Sequence, residues 1–162
     1  MKSKPLLVLT VIAAAAILVG TSCSRPESTQ PVVGETVSNH GSVRVEWETD
    51  FPDAIKRAQS EGKPVLVNFY AEWCVWCKQL ETVTFRDQKV AAMLAETVVP
   101  LNIDIDGDVA EIVRDHRIQA PPTIVVFSQG GEELGRIPGY LPPSSFLIVV
   151  EKILRGEPVR LG

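Results

Sequence analysis

The hydrophobic positions of this chain change period several times, and each change marks an element. Residues 43–48 alternate apolar and polar, the period of a half-buried strand, and residues 51–60 carry Phe51, Ala54, Ile55 and Ala58 at helical spacing. Residues 65–70 form an apolar run interrupted only by Asn68, rich in β-branched and aromatic side chains, as in a buried strand. Residues 78–84 continue in a helix-compatible pattern, and residues 87–95 read as a further helix with Val90, Met93 and Leu94 inward. A strand is expected over 98–103, a short helix over 109–115 and another buried strand over 124–127. Ser128-Gln129-Gly130-Gly131 makes a tight turn into an edge strand over 133–137. Residues 144–154 close the chain as an amphipathic helix behind two prolines, started by a serine cap. The opening strand, helix, strand order implies a parallel pair and the late hairpin an antiparallel edge, so residues 43–162 are expected to form one α/β domain. Its central mixed β-sheet would be flanked by helices, and the segment is long enough for a core of ordinary size.

Two polar features interrupt this pattern. Trp73-Cys74-Val75-Trp76-Cys77-Lys78 follows the strand at 65–70, and Ala120-Pro121-Pro122-Thr123 stands at the mouth of the strand at 124–127. The chain has three cysteines, and Cys23 lies far from the other two. A structural zinc site needs about four ligands, yet the only histidines are His40, in a polar linker, and His116, so no metal site is expected. A purely structural Cys74–Cys77 disulfide would close a loop too short to remove much unfolded-state entropy. Redox exchange is the reading that remains. At a strand-to-helix corner, the Cys74 sulfur would lie over the free N–H groups of the first turn, which stabilise a thiolate. Cys77, one turn deeper, suits a resolving role, leaving Cys74 as the nucleophile. Proline cannot donate to a sheet ladder, and cis peptides are almost confined to X-Pro bonds, so Pro122 is a candidate cis-proline.

Taken together, these residues resemble the thioredoxin-fold family. Ala71-Glu72-Trp73-Cys74-x-x-Cys77-Lys78 matches its active-site segment, and Pro122-Thr123 matches its cis-proline and following threonine. Gly62-Lys63-Pro64-Val65, Tyr70-Ala71-Glu72-Trp73-Cys74-Val75 and Glu81-x-x-Thr84-Phe85 are most similar to the C-terminal thioredoxin-like domain of the DsbD-type transmembrane reductases. The resemblance implies that Pro122 faces the sulfurs and that the backbone before it pairs with an extended substrate. It implies that Glu81, with Lys78 nearby, modulates thiol ionisation, and that Trp73 forms the site floor. Trp76, Pro121 and Thr123 join the substrate-binding set. No cofactor is implied beyond the redox-active disulfide Cys74–Cys77.

The chain departs from the family pattern at three positions. Asn68 stands where a buried aspartate is usual, and an amide cannot accept a proton, so proton removal there must use water, Glu81 or the leaving group. Pro121 has no N–H, so one usual backbone bond to substrate is missing and weaker peptide binding is expected. Trp76 lies between the cysteines where small residues or proline are common; it would cover Cys77 or form part of a docking surface.

The N-terminus bears on location. Lys2 and Lys4 precede residues 6–19, all apolar except Thr10, and then Gly20-Thr21-Ser22-Cys23. Residues 1–22 read as a signal peptide or membrane anchor, and Cys23 resembles a lipobox cysteine, with Gly20 where a larger aliphatic residue is usual. Residues 23–42 are a flexible linker with a reach of about 25 Å. A lipid-anchored position at the periplasmic face of a bacterial envelope follows. The full chain carries a net charge of −4, and loss of Lys2 and Lys4 makes it more acidic. Affinity for anionic lipid or nucleic acid is therefore not expected. The cluster Asp104, Asp106, Asp108 lacks the glycine of a calcium loop, since Val109 stands there, and reads as a solvated loop. The DsbD-like segment favours a thiol:disulfide reductase that receives electrons from a membrane donor of DsbD type and serves disulfide-bearing clients. Clients in cytochrome c maturation belong to that analogy. A disulfide oxidase or isomerase using the same cysteines and a non-catalytic client-binding module are the alternatives.

Overall fold

Val65, Leu66, Val67 and Phe69 are fully buried, so the strand they form has no solvent face. A computed structural model describes residues 43–159; the expected leader at 1–22 and the linker at 23–42, including Cys23 and His40, lie outside the described residues. The chain runs α1 (Phe51–Glu61), β1 (Val65–Tyr70), α2 (Val75–Gln79), α3 (Gln88–Thr97), β2 (Val99–Asp104), α4 (Ala110–Asp115), β3 (Thr123–Phe127), β4 (Glu133–Pro138) and α5 (Pro143–Leu154). A π-helical turn, Leu80–Thr84, prolongs α2 without a break.

The strands form a four-stranded mixed sheet in the order β2-β1-β3-β4. β1 pairs in parallel with β2 and antiparallel with β3, and β3 pairs antiparallel with β4. β1 is internal and covered on both faces, which explains its nearly unbroken apolar run. On one face Leu66 joins Leu80, Phe85, Leu94, Ile124, Phe146 and Ile153. On the other, Val65, Val67 and Phe69 pack with Ala54, Ala58, Leu101 and Val125. The α/β thioredoxin fold expected from the sequence is the fold found.

The expected strand at 43–48 is not one. Its side chains alternate, with Val45 and Trp47 half-buried against the core, but its backbone makes only one parallel bridge, Glu48 to Leu101. Glu48 N–H donates to Pro100 O and Asn102 N–H to Glu48 O, both at 2.9 Å. Farther out, Val43 N–H turns to the Gln88 side chain instead of a strand. Trp47 fixes the segment by packing on Phe85 at 4.8 Å between ring centroids, and Glu48 pairs with Arg57 of α1 at 2.9 Å.

Caps explain several boundaries. Asp50 accepts from Asp53 N–H at the start of α1, Gly62 ends that helix in the left-handed region at φ 69°, and Asp87 accepts from Lys89 and Val90 N–H at the start of α3. The serine cap expected for α5 is absent: Pro142 occupies the cap position with no side-chain bond, and Pro143 opens the helix. A proline in the first turn has a suitable φ and no N–H to satisfy, so no serine is needed there.

Candidate active site at the Cys74–Cys77 pair

β1 ends at Tyr70, a short loop follows, and Cys74 becomes the cap residue of α2. Cys74 and Cys77 are joined in a disulfide with Cα atoms 5.2 Å apart. The Cys77 N–H donates to Cys74 Sγ at 3.1 Å, so the first sulfur accepts one of the free donors of the helix start. Burial does not separate the two cysteines in this state: Cys74 is 5% exposed and Cys77 7%. Their difference lies in position, one at the cap and one inside the first turn.

The strand register brings the second feature to the same end of the sheet. Phe69 lies opposite Thr123, so the loop after β1 and the loop before β3 emerge side by side. The Pro121–Pro122 bond is cis. Pro122 O accepts from Gly139 N–H at 2.8 Å and Thr123 Oγ1 donates to Ala120 O at 2.7 Å. Those two carbonyls are engaged within the chain.

The aromatic residues sit differently from expectation. Trp73 is no site floor: it is 65% exposed, and its indole N–H donates to Asp106 Oδ2 at 2.7 Å. A tryptophan directly before the helix cap has its ring turned outward, and the Asp106 carboxylate satisfies its polar edge. Trp76, 59% exposed, stacks on Tyr140 with centroids 5.6 Å apart and planes at 27°. With the exposed Val75, these rings make an apolar rim beside the cysteines.

Beneath the pair opens a cavity of about 590 Å³, whose lining includes Cys77, Lys78, Glu81, Asn68, Asn102 and Tyr70. Glu81 and Lys78 are exposed side chains on its wall. Burial, followed by the carboxylates of Asp104, Glu72 and Glu81, pushes the Tyr70 phenol above its ordinary value, so it stays neutral at physiological pH. Asn68 is buried and donates through Nδ2 to Asn102 Oδ1 at 2.9 Å. In the acidic loop, Asp104 Oδ1 accepts from Asp106 N–H at 3.0 Å, and no group of three or more candidate metal ligands occurs among the described residues.

Three partners went unnoticed in the sequence: Asp106, Tyr140 and Asn102. For Asn102 a signal existed, because Val65-Leu66-Val67-Asn68 and Val99-Pro100-Leu101-Asn102 each place an amide fourth in an apolar run, and the two pair in register. Tyr140 and Asp106 carry no such mark.

A thioredoxin-like domain model matches residues 51–154. The chain belongs to the thioredoxin-like family, and its Cys-x-x-Cys pair is the site of a thiol:disulfide oxidoreductase. Thiol:disulfide interchange protein DsbD of Ralstonia nicotianae is 30% identical over 160 residues, 91% of this chain and 26% of that protein. The chain thus spans about a quarter of that relative's length. The solution structure of a thioredoxin from Thermus thermophilus is 31% identical with a TM-score of 0.61, covering 70% of this chain and 88% of that one. The oxidised C-terminal domain of Neisseria meningitidis DsbD, 21% identical with a TM-score of 0.56, covers 66% of this chain and 98% of that domain and shares the fold.

Proposed function

We propose that this protein is an exported, membrane-tethered thiol:disulfide reductase of the bacterial envelope. The observation that carries the chemistry is the placement of Cys74 at the cap of α2, with its sulfur accepting the Cys77 N–H. Once the disulfide opens, the same donor stabilises a Cys74 thiolate, the species that attacks. Cys74 Sγ attacks one sulfur of a client disulfide, forming a mixed disulfide and releasing the other client sulfur as a thiolate. Cys77 then attacks Cys74 Sγ, closing the intramolecular disulfide and releasing the fully reduced client. The two electrons lost by Cys74 and Cys77 are those gained by the client.

The remaining sequence candidates take supporting roles. Glu81 and Lys78, on the wall of the cavity that Cys77 lines, modulate the thiols, and Asn68 supports them from β1. Trp73 and Trp76 form the docking rim, while Pro121, Pro122 and Thr123 hold an extended client segment. Similarity to DsbD supports the reductive direction and a membrane donor of that type. The leader at 1–22 and Cys23 support periplasmic lipid anchoring through the linker. No helix among the described residues is long and apolar enough to cross a membrane.

A Cys74→Ser,Cys77→Ser double variant tests the reading in cells lacking the protein. Loss of client reduction is expected; full complementation would instead establish a binding module that holds clients without redox exchange.

A further inference from the structure

Among the described residues, the one buried side-chain polar atom without a hydrogen-bond partner is Asn68 Oδ1. Its residue is 6% exposed, and its Nδ2 is occupied by Asn102 Oδ1. Rotating the amide does not remove the difficulty. It requires Asn102 to turn as well and strands Nδ2 in place of Oδ1. A buried acceptor left in this state is destabilising, and an aliphatic residue in the middle of β1 would have avoided it.

The missing donor can be sought among the side chains that share its cavity. Lys78, Arg44, Arg86 and Tyr70 line it and carry donors whether the cysteines are oxidised or reduced, yet none bonds Oδ1. Cys77 also lines it, and its donor capacity changes with redox state. Bonded to Cys74 it has no S–H; reduced, it has one.

We infer that in the reduced protein Asn68 Oδ1 accepts a hydrogen bond from the Cys77 thiol, directly or through one water in the cavity, so that the Asn68–Asn102 pair biases the couple towards the dithiol. The inference rests on the redox reading of Cys74 and Cys77 given above. A dithiol donor breaks the Cys74–Cys77 bond by exchange. The donor's two sulfurs lose two electrons and form the donor's disulfide, and its two protons pass to Cys74 and Cys77. The proton on Cys77 satisfies Oδ1. Both ends of the cycle push in one direction, since the oxidised state holds the orphaned acceptor and the reduced state gains the bond.

The test equilibrates the full-length protein and its Asn68→Leu variant in glutathione buffers of defined ratio. Thiols are trapped by alkylation, and Cys74 and Cys77 are read by peptide mass. Leucine keeps nearly the same shape and removes both the orphan and the bond. The variant's equilibrium is expected to move about tenfold towards the disulfide, ~30 mV more negative. Agreement of the two proteins within about twofold overturns the inference alone. A wild-type pair that exchanges with no thiol buffer overturns the redox reading beneath it. Should Asn68→Leu fail to fold, the wild-type Asn68 side-chain amide signals are compared between redox states. A shift on reduction at the Asn68 carbonyl carbon supports the bond, and an unchanged signal overturns it.

Discussion

Trp76 and Tyr140 stack with ring centroids 5.6 Å apart, joining the helix between the cysteines to the loop that follows β4. The two residues are 64 positions apart in sequence, and only the meeting of α2 with the end of the β3–β4 hairpin brings them together. The contact gives the exposed Trp76 ring a fixed orientation beside the redox pair. A held aromatic makes a better docking element than a free one, because less side-chain freedom is lost on binding.

Trp76→Ala removes that platform. The KM for a protein client is expected to rise roughly threefold to tenfold, the range that an aromatic pair of ~0.5–1.5 kcal/mol supports. A small-molecule disulfide should be affected less. Steady-state kinetics on both substrates check this, and an equal loss on the two would argue against docking.

Pro121 denies the client one backbone donor. Restoring it with Pro121→Val is expected to tighten binding of an extended disulfide peptide about fivefold, the worth of one hydrogen bond near 1 kcal/mol. Titration calorimetry with a peptide that cannot complete exchange measures it; unchanged affinity would remove Pro121 from the substrate-binding set.

Gly135 in β4 lies where a Cβ would come within 2.8 Å of Ile153 Cγ1. Ile153 is a buried, branched residue of α5 with little room to move. Gly135→Ala should therefore destabilise the domain by about 1–3 kcal/mol through overpacking. Denaturant unfolding with an unchanged slope is the expected result, and wild-type stability would mean that α5 shifts freely on the sheet.

Glu133 accepts from Arg136 Nε at 2.6 Å. That hydrogen bond holds its carboxyl below the ordinary carboxylate value, against a weaker upward push from burial. Its contribution to stability is present above the unfolded value, about 4.3, and is lost as pH falls through the lower folded one. With a side chain about a third exposed, the contribution is at most ~1 kcal/mol. Glu133→Gln should thus be slightly less stable than wild type at pH 7, with the gap closing in acid. A gap that is constant with pH would assign the effect to packing instead.

Much of this architecture was legible because burial leaves a period. The runs around Val65–Tyr70 and Thr123–Phe127 read as strands since both of their faces are covered, and Cys74, Cys77 and Pro122 stood out as residue types with few alternative uses. Residues 43–48 show the limit: alternation records which side chains turn inward, and it is silent on whether a backbone ladder forms. The proline start of α5 and the outward Trp73 depend on local geometry that residue identity leaves open. Asp106, Tyr140 and Asn102 meet their partners across long stretches of chain, and such contacts have no periodicity to read.

The central claim is that Cys74 and Cys77 form a reducing couple. The most direct measurement is the reduction potential of the protein, obtained by equilibrium in defined thiol buffers with trapping of free thiols. A value towards that of thioredoxin, about −270 mV, is expected for a reductase. A value near that of the oxidant DsbA, about −120 mV, would contradict the account and make disulfide formation the function of the same pair.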